Sequence, residues 1–417
     1  MNSNRRTLIK AAGAAAAVAA VGTSTAARAQ AGGTIRIGLM TVKTGPLASG
    51  GLDMEKALVQ YLKERNNMMA GRKVELFVGD SAGVPATART KVQELVERNK
   101  IHVMIGPLAA AEALATDDYI RQAKLPTLSV AAAEDMTQRK TNPWFVRGTS
   151  TSSQCAHPMA DYCLKELKWK RMGIIADDLA YGHEMLAGFQ RVFEEGGGKI
   201  VQKQFAPLTV PDYGTYLAQL KTNVDGIFLG FAGSNGFRYL RQFNEYGMKG
   251  KVGVVGGMTA LDEAVLRNMG DEALGIRTSC WYSAELANPI NQKFAAAFRA
   301  QNKYDPGFYA AATYVEAAVL EAALDAIKGK IEDKTAFMKA LRAVKTSTAR
   351  GPVSFDSYGN VVGDVFIRRV ERKDGRLVNV VEKTYPNVSQ FWTYKPEDFL
   401  KNPVYSRDWP PAKNLES

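Results

Sequence analysis

Hydrophobic and polar positions alternate along the segment that begins at Ile35, and this alternation predicts a β-strand. Ile35, Ile37 and Leu39 are each separated by one residue, which is the period of a strand. After a Gly-rich turn the apolar positions take the spacing of one helical face: Met54, Leu58, Tyr61 and Leu62. A strand that enters a helix through such a turn presents backbone N–H groups at the carboxyl edge of the sheet, where small ligands bind in open α/β proteins.

The strand–helix alternation continues along the chain. Short apolar runs predict further strands at residues 73–79, 103–105 and 127–130, with helical patterns between them. Such repetition predicts a parallel sheet with helices on both faces. A polar Ser/Thr run at 149–153 then indicates a crossover. Beyond it a second series of strands is predicted at residues 172–176, 199–205, 226–230 and 252–255.

The end of the chain adds a long helix, a hairpin and an aromatic tail. Residues 308–327 carry small side chains on most turns and predict a closely packed helix. Two alternating runs, 365–370 and 377–385, flank Asp374-Gly375, a dipeptide that strongly favours a β-hairpin. Beyond residue 387 the chain is rich in aromatic residues, and we expect this tail to pack on the folded units.

The first 29 residues have the features of an export signal. Arg5 and Arg6 precede an Ala-rich apolar run, and Ala27-Arg28-Ala29 forms a small-x-small cleavage site. The paired arginines resemble a twin-arginine signal, although the Sec route stays open. No later segment approaches the roughly 18–20 apolar residues of a spanning helix. We therefore expect an exported mature chain that is free in the periplasm.

Composition and charge exclude several functional classes. A chain of 417 residues suits two domains, and its net charge of +12 falls by four, to +8, when the basic residues of the signal are removed. The remaining cations are interspersed with acids, so nucleic-acid binding is not indicated. The histidines lack metal-ligand spacing, and no activated nucleophile or acid–base pair is present. We therefore expect no metal, no cofactor and no catalysis.

Three cysteines occur in the chain. Cys155 and Cys163 lie eight positions apart in a predicted helix, about 12 Å along its axis, which is too far for a disulfide. A bridge from either to Cys280 stays open, but three buried thiols are the favoured interpretation.

Several short motifs follow one another in an order that is typical of one family. They are Thr44-Gly45-Pro46, Ile105-Gly106-Pro107, Phe145-Val146-Arg147, Tyr181-Gly182 and Gly351-Pro352-Val353. The set resembles the periplasmic branched-chain amino-acid binding proteins, the type I solute-binding proteins of ABC importers. This resemblance implies two lobes, each a mostly parallel sheet flanked by helices, joined by three hinge crossovers. It also implies a monomer that traps one small-molecule ligand between the lobes and delivers it to an inner-membrane ABC permease.

The hydrophobic pattern and the resemblance together divide the chain into four parts. Residues 1–29 are the signal peptide. Residues 30–148 with 282–352 are expected to form the first lobe, and residues 149–281 with 353–386 the second. The tail is expected to comprise residues 387–417.

The resemblance also implies ligand-binding positions, which follow the carboxyl ends of the strands. They are Thr44, Leu108, Ala109, Ala110, Ser129, Ala131, Ala132, Ala133, Tyr181, Phe231, Ala232, Met258 and Tyr309. Alanine stands at positions 110 and 133, where amino-acid-binding members have a serine and a threonine. Ala232 replaces an expected tyrosine, and Met258 replaces the acid that pairs with the ammonium of the ligand.

Because that acid is missing, an ammonium buried in the site would lack its partner. The predicted function is therefore the periplasmic substrate-binding component of an ABC importer that captures a small amino-acid-like solute or an apolar or aromatic carboxylate. A neutral or carboxylate-bearing apolar solute, aromatic ones included, fits these residues better than a simple α-amino acid. Four residues near strand ends are candidates to replace the acid: Glu112, Glu134, Asp178 and Asp262. The alternative is a ligand-binding sensory module that signals to a membrane partner. A hydrolase is weaker, for want of a catalytic set.

Overall fold

The computed structural model describes residues 33–416, which form two β-sheets flanked by helices. Six strands form the first sheet: β1 (Ile35–Thr41), β2 (Met68–Met69), β3 (Arg72–Asp80), β4 (Val103–Ile105), β5 (Thr127–Leu128) and β6 (Phe145–Val146). Their spatial order is β2-β3-β1-β4-β5-β6. All neighbours pair in parallel except the short β2 with β3, so the carboxyl ends of β1 and β3–β6 lie at one edge.

The second sheet has nine strands. They are β7 (Arg171–Asp177), β8 (Lys199–Ala206), β9 (Gly226–Gly230), β10 (Gly253–Gly256), β11 (Arg277–Cys280), β12 (Thr346–Thr348), β13 (Gly351–Phe355), β14 (Val361–Lys373) and β15 (Arg376–Val388). The order is β12-β13-β14-β11-β10-β9-β7-β8, with β15 also paired to β14. Strands β7–β11 are parallel, whereas β12–β15 pair antiparallel. The predicted hairpin is confirmed, and Asp374 and Gly375 both have positive φ, of 50° and 75°, as a tight hairpin turn requires.

Helices cover both sheets. They are α1 (Ala48–Lys63), α2 (Pro85–Glu97), α3 (Ala110–Ala123), α4 (Ser152–Lys165), α5 (Ala180–Glu195), α6 (Gly214–Ala218), α7 (Asn235–Glu245), α8 (Glu263–Leu266), α9 (Pro289–Asn302), α10 (Phe308–Ala326), α11 (Lys334–Arg342) and α12 (Pro396–Leu400). Two 3₁₀ turns lie at Glu134–Thr137 and Asp271–Ala273. The predicted small-residue helix is confirmed as α10, which packs on α1. Within residues 33–416 no helix has the length and apolarity needed to cross a bilayer.

The chain passes between the two units three times, after β6, after β11 and after α11. The last two crossings flank the segment α9–α11, in which α10 packs on α1 and β4 of the first unit. Arg147 and Arg350, both almost fully buried, hold the first crossover. Nη1 of Arg350 donates to the carbonyl oxygens of Gly148 (2.7 Å) and Thr149. Nε of Arg147 donates to the carbonyl oxygen of Ala131 (2.8 Å). These guanidinium groups supply donors to carbonyls that belong to no sheet ladder.

A third buried arginine, Arg368 on β14, holds the second crossover. Its Nη1 donates to the carbonyl oxygen of Tyr282 (2.7 Å), and its Nη2 donates to that of Met258 (3.2 Å). The backbone N–H of Gly148 donates to Glu316 Oε1 of α10 (2.8 Å), so the first crossover is held from the opposite side as well. The first and second crossing segments are therefore fixed by buried side chains distant in sequence.

Two buried carboxyl groups meet beside the first crossover. Glu184 on α5 accepts from the backbone N–H of Glu134 (3.2 Å) and from Ser152 Oγ (2.7 Å). Glu134 accepts from the backbone N–H of Ser153 (3.0 Å) at the start of α4. Burial raises the pKa of Glu134 from 4.5 to about 7. Burial, and then the neighbouring charge of Glu134, also raise the pKa of Glu184 well above its ordinary value.

The aromatic tail packs on α5. Phe391, Phe399 and Tyr405 are buried against Ala187. Arg191 of α5 lies over the ring of Tyr394, 3.9 Å from its centroid. The tail also reaches the loop after β5, because Arg139 Nε donates to the carbonyl oxygen of Asn402 (2.7 Å). The boundaries of the two lobes and the tail stay predictions.

The cysteine interpretation is confirmed, since Cys155, Cys163 and Cys280 are free, buried thiols. The open possibility of a bridge to Cys280 is therefore not realised. The predicted signal peptide, residues 1–29, lies outside the described residues.

Replacement of Arg350 by alanine should lower the free energy of unfolding by at least about 3 kcal/mol, because three carbonyl oxygens lose a buried donor. Urea unfolding followed by circular dichroism measures this change. Arg241→Ala is the control, since Arg241 lies on the surface with only an i,i+4 partner, Glu245. We expect it to change stability by less than about 0.5 kcal/mol. Equal effects of the two substitutions would contradict the role given to Arg350.

Stability should fall as the pH rises from about 4.5 to about 7. In this window the unfolded chain releases the proton of Glu134 while the folded chain retains it, so each rise in pH favours the unfolded state. Below 4.5 both states are protonated, and the contribution is fully present. Melting temperatures of Glu134→Gln should therefore depend less on pH in this range than those of the wild type. An unchanged pH profile would show that Glu134 titrates normally.

Candidate functional site

A cavity of about 70 Å³ lies where loops from both sheets meet. Its lining comprises Leu47, Gly83, Leu108, Ala109, Ala110, Ala111, Val130, Ala132, Leu179, Tyr181, Leu208, Ala232, Met258, Phe308 and Tyr309. Most of these residues follow the carboxyl ends of strands, and Phe308 and Tyr309 begin α10. Larger clefts, such as one of about 620 Å³ along α1 and α10, lie away from these strand ends. Ligands of open α/β sheets bind at the carboxyl ends, so the smaller cavity is the candidate site.

Eight of the thirteen predicted positions line this one cavity. They are Leu108, Ala109, Ala110, Ala132, Tyr181, Ala232, Met258 and Tyr309. The first four come from loops of the first sheet, whereas Tyr181, Ala232 and Met258 come from loops of the second. The arrangement brings together residues that are far apart in sequence.

The other five predicted positions lie outside the lining. Thr44 is exposed in the turn before α1. Ser129 Oγ accepts from the backbone N–H of Ala131 (3.0 Å), and the carbonyl oxygens of Ala131 and Ala133 accept from Arg147. Phe231 packs among aromatic side chains behind the cavity, with ring centroids 5.4 Å from Tyr213.

Seven lining residues are not among the thirteen predicted positions. Four of them adjoin predicted positions: Ala111, Val130, Leu179 and Phe308. The other three are Leu47, before α1, and Gly83 and Leu208, in the loops after β3 and β8. Systematic attention to every strand's carboxyl end would have found Gly83 and Leu208.

The cavity has an uncharged lining, for no Asp, Glu, Lys, Arg or His side chain contributes to it. The four acids considered as replacements have other hydrogen-bond partners and do not line the cavity. Glu112 accepts from Ser81 Oγ and from the backbone N–H of Ala109 (3.0 Å). Asp178 accepts from His183 (2.7 Å) and Arg407. Asp262 accepts from the backbone N–H of Phe308 (2.5 Å), and Glu134 belongs to the buried pair at the first crossover.

Four helices begin at the cavity wall, namely α1, α3, α5 and α10. The first N–H groups of a helix have no acceptor within it, and the aligned peptide dipoles place partial positive charge there. Several of these termini facing one small volume favour an anion. Asp177 supports one part of this wall, because its Oδ2 accepts from the backbone N–H of Ala232 (2.7 Å).

Two phenol groups supply polar side-chain atoms. Tyr181 Oη lies 2.8 Å from Thr259 Oγ1. The hydroxyl of Tyr309 has no hydrogen-bond partner among residues 33–416. The ring of Tyr309 packs on Gly50 of α1, where an added Cβ would come within 2.3 Å of it. Burial raises the pKa of both phenols, so both stay protonated near neutral pH.

The loops of the two sheets come into main-chain contact at Gly233. A Cβ added to this glycine would lie 2.3 Å from the carbonyl oxygen of Pro46. Gly233 also has a φ of +56°, in the left-handed region that side chains disfavour. No side chain fits between these two loops in the observed arrangement. Elsewhere in the described part of the chain, no cluster of three or more His, Cys, Asp or Glu residues is placed to hold a metal ion.

A sequence profile of the family described as periplasmic binding protein matches residues 34–376. The chain is also 25% identical over 362 residues to Leu/Ile/Val-binding protein homolog 6 of Brucella abortus (strain 2308), an alignment that covers 84% of this chain and 91% of the relative. The chain belongs to the family of periplasmic branched-chain amino-acid binding proteins. Members of this family are substrate-binding proteins of transporters rather than enzymes.

Solved structures confirm that this periplasmic binding protein has the two-lobed type I fold. It resembles an ABC transporter substrate-binding protein from Sphaerobacter thermophilus, with a TM-score of 0.80, 32% identity and coverage of 86% of this chain and 99% of that one. It also resembles a solute-binding protein of an ABC transporter from Rhodopseudomonas palustris BisB5, solved in complex with 3,4-dihydroxybenzoic acid. That likeness has a TM-score of 0.82 and 31% identity, over 86% of this chain and 98% of that one.

Gly233→Ala should hinder closure of this binding protein, because the new methyl group collides with the backbone of the opposing loop. Small-angle scattering should show a larger radius of gyration than for the wild type. Gly250→Ala is a matched control: Gly250 has a φ of +82°, yet no atom lies within 4 Å of its added Cβ. Both variants bear a backbone strain of about 1–2 kcal/mol, but only the first should change shape. Identical scattering curves would contradict this prediction.

Proposed function

We propose that this protein is the periplasmic substrate-binding component of an ABC importer and that it captures a small apolar carboxylate, aromatic acids included, between two closing lobes. The observation that carries the proposal is an uncharged cavity at which four helices begin. Helix N-termini compensate a negative charge without a cationic side chain. The apolar walls suit a hydrocarbon or aromatic body.

The same cavity disfavours a free amino acid. The ammonium of such a ligand would be buried beside Met258, Ala232 and other groups that carry no negative charge. An unpaired buried charge costs several kcal/mol. The R. palustris protein described above, of 31% identity, was solved with an aromatic acid that carries no ammonium, which supports the same ligand class here.

A ligand would favour closure of the two lobes, because each of the two units supplies part of the cavity lining. A ligand on the loops of the first sheet touches Leu108–Ala111 and Tyr309, and it gains Tyr181, Ala232 and Met258 only when the second unit approaches. Contacts available in one state alone shift the open–closed equilibrium. We propose that the lobes are residues 30–148 with 282–352 and residues 149–281 with 353–386. An inner-membrane permease would then recognise the closed, liganded form, after export directed by residues 1–29.

A pair of compounds that differ only in the ammonium group tests the ligand class. 3-Phenylpropanoate should bind at least about tenfold more tightly than phenylalanine, a difference of about 1.4 kcal/mol, since only phenylalanine brings an unpaired cation into the cavity. Isothermal titration calorimetry measures both constants. The aliphatic pair 4-methylpentanoate and leucine gives an independent comparison. Tighter binding of either amino acid than of its deaminated analogue would refute the proposal.

Met258→Asp should reverse this preference in part, because it places a carboxylate where the ammonium would lie. We expect it to weaken binding of 3-phenylpropanoate and to narrow the ratio between the two ligands. Met258→Leu is the control and should keep the wild-type ratio, since it alters shape but not charge. If both variants behave alike, the charge at this position does not set the ligand class.

A further inference from the structure

A chain of hydroxyl groups behind the cavity ends at the wall formed by Tyr181. Tyr181 Oη lies 2.8 Å from Thr259 Oγ1, and Thr259 Oγ1 lies 2.9 Å from the carbonyl oxygen of Phe231. All three residues are buried, with Thr259 only 3% exposed. The chain therefore runs from a main-chain carbonyl to a phenol that lines the ligand cavity.

The carbonyl fixes the direction of this chain. The oxygen of Phe231 can only accept, and among residues 33–416 no donor other than Thr259 reaches it. A buried carbonyl left without a donor is unfavourable, so the single proton of Thr259 points to Phe231. Thr259 can then act only as an acceptor towards Tyr181, so the phenol of Tyr181 must donate its proton to Thr259 Oγ1. The oxygen of Tyr181 consequently presents only lone pairs to the cavity.

This polarity orients a carboxylate ligand. A carboxylate next to the Tyr181 oxygen would place lone pairs against lone pairs, whereas the start of α3, at Ala110 and Ala111, offers N–H groups from the opposite unit. The ring of an aromatic acid then extends towards Tyr181. Tyr309, whose hydroxyl has no partner among the described residues, can donate or accept and imposes no such choice.

We propose that Tyr181, oriented by Thr259, is a specificity-determining residue whose oxygen accepts a hydrogen bond from the ring hydroxyl of a hydroxylated aromatic carboxylate. This inference rests on the function proposed above. A hydroxyl on the ring gains a buried acceptor. A bare ring leaves that acceptor without a partner, and a ring ether brings a second acceptor against it. Sites built to bond a ligand hydroxyl discriminate against analogues that lack it.

The test compares affinities for 4-hydroxybenzoate, 3-hydroxybenzoate, benzoate and 4-methoxybenzoate by calorimetry. The wild type should bind one of the hydroxybenzoates at least roughly tenfold more tightly than benzoate and 4-methoxybenzoate. Thr259→Val removes the acceptor of the Tyr181 proton, so that Tyr181 can donate into the cavity. The ratio of hydroxybenzoate to 4-methoxybenzoate affinity should then fall towards one or below it. The conservative Thr259→Ser should restore the wild-type ratio, which a merely structural role of Thr259 would not require.

Tyr181→Phe provides a second variant should Thr259→Val not fold. It should abolish the preference for the hydroxyl while still binding benzoate. A wild type that binds benzoate as tightly as both hydroxybenzoates would overturn the inference and leave the proposed function standing. A Thr259→Val variant that keeps the wild-type ratio of hydroxybenzoate to 4-methoxybenzoate affinity would also overturn the inference and leave the proposed function standing. Binding of none of the four benzoates by the wild type would instead overturn the proposed aromatic ligand class, and this inference with it.

Discussion

Buried guanidinium groups bonded to main-chain carbonyls are the interaction on which the arrangement of the two sheets depends. The first two crossing segments carry carbonyls that have no ladder partner. Arg350 and Arg368 supply donors to them, and Arg147 supplies a donor to the loop after β5, next to the first crossover. A guanidinium has five N–H groups in a rigid plane, so one side chain can satisfy several carbonyls at once. Because Arg368 also bonds the carbonyl of Met258, the crossovers and the cavity wall share one framework.

The chemical character of the cavity follows from where the acids are used. Several carboxyl groups lie close to the cavity, yet each accepts hydrogen bonds from backbone N–H groups or side chains, and none contributes to the lining. Asp262 accepts from the N–H of Phe308 and so links the loop after β10 to the start of α10. Glu112 bonds Ser81 and the backbone before α3. The acids therefore stabilise the loops that shape the cavity, and the cavity itself is left to main-chain dipoles, phenols and apolar groups.

Much of the fold could be predicted from the sequence because strands and helices here have clear periods. Alternation at Ile35, Ile37 and Leu39 predicted β1, and Asp374-Gly375 predicted the β14–β15 hairpin, since both signals are local. The buried arginines gave no such signal. Arg350 lies about two hundred positions from the carbonyls of Gly148 and Thr149 that it bonds, and only the folded chain brings them together.

The candidate site was predicted from the resemblance to the family, whose binding positions follow the carboxyl ends of strands. Tyr181, Met258 and Ala110 line one cavity in the structure, and their role in ligand binding stays a prediction. Within the loop after β5, however, Val130 and Ala132 line the cavity, whereas Ser129, Ala131 and Ala133 bond locally or to Arg147. Successive residues of an extended segment face opposite sides. Composition alone does not tell which set faces the ligand.

The contact of Gly233 with the carbonyl of Pro46 would give the proposed closing movement a fixed end point. Two main chains meet there, and neither has a rotamer that could yield by a further ångström. At this point the distance between the two loops is thus limited by the backbone and not by adjustable side chains. Under the proposed function, a molecule too large to fit within this limit would keep the two lobes apart, and the permease would meet a shape that differs from the one a fitting molecule produces.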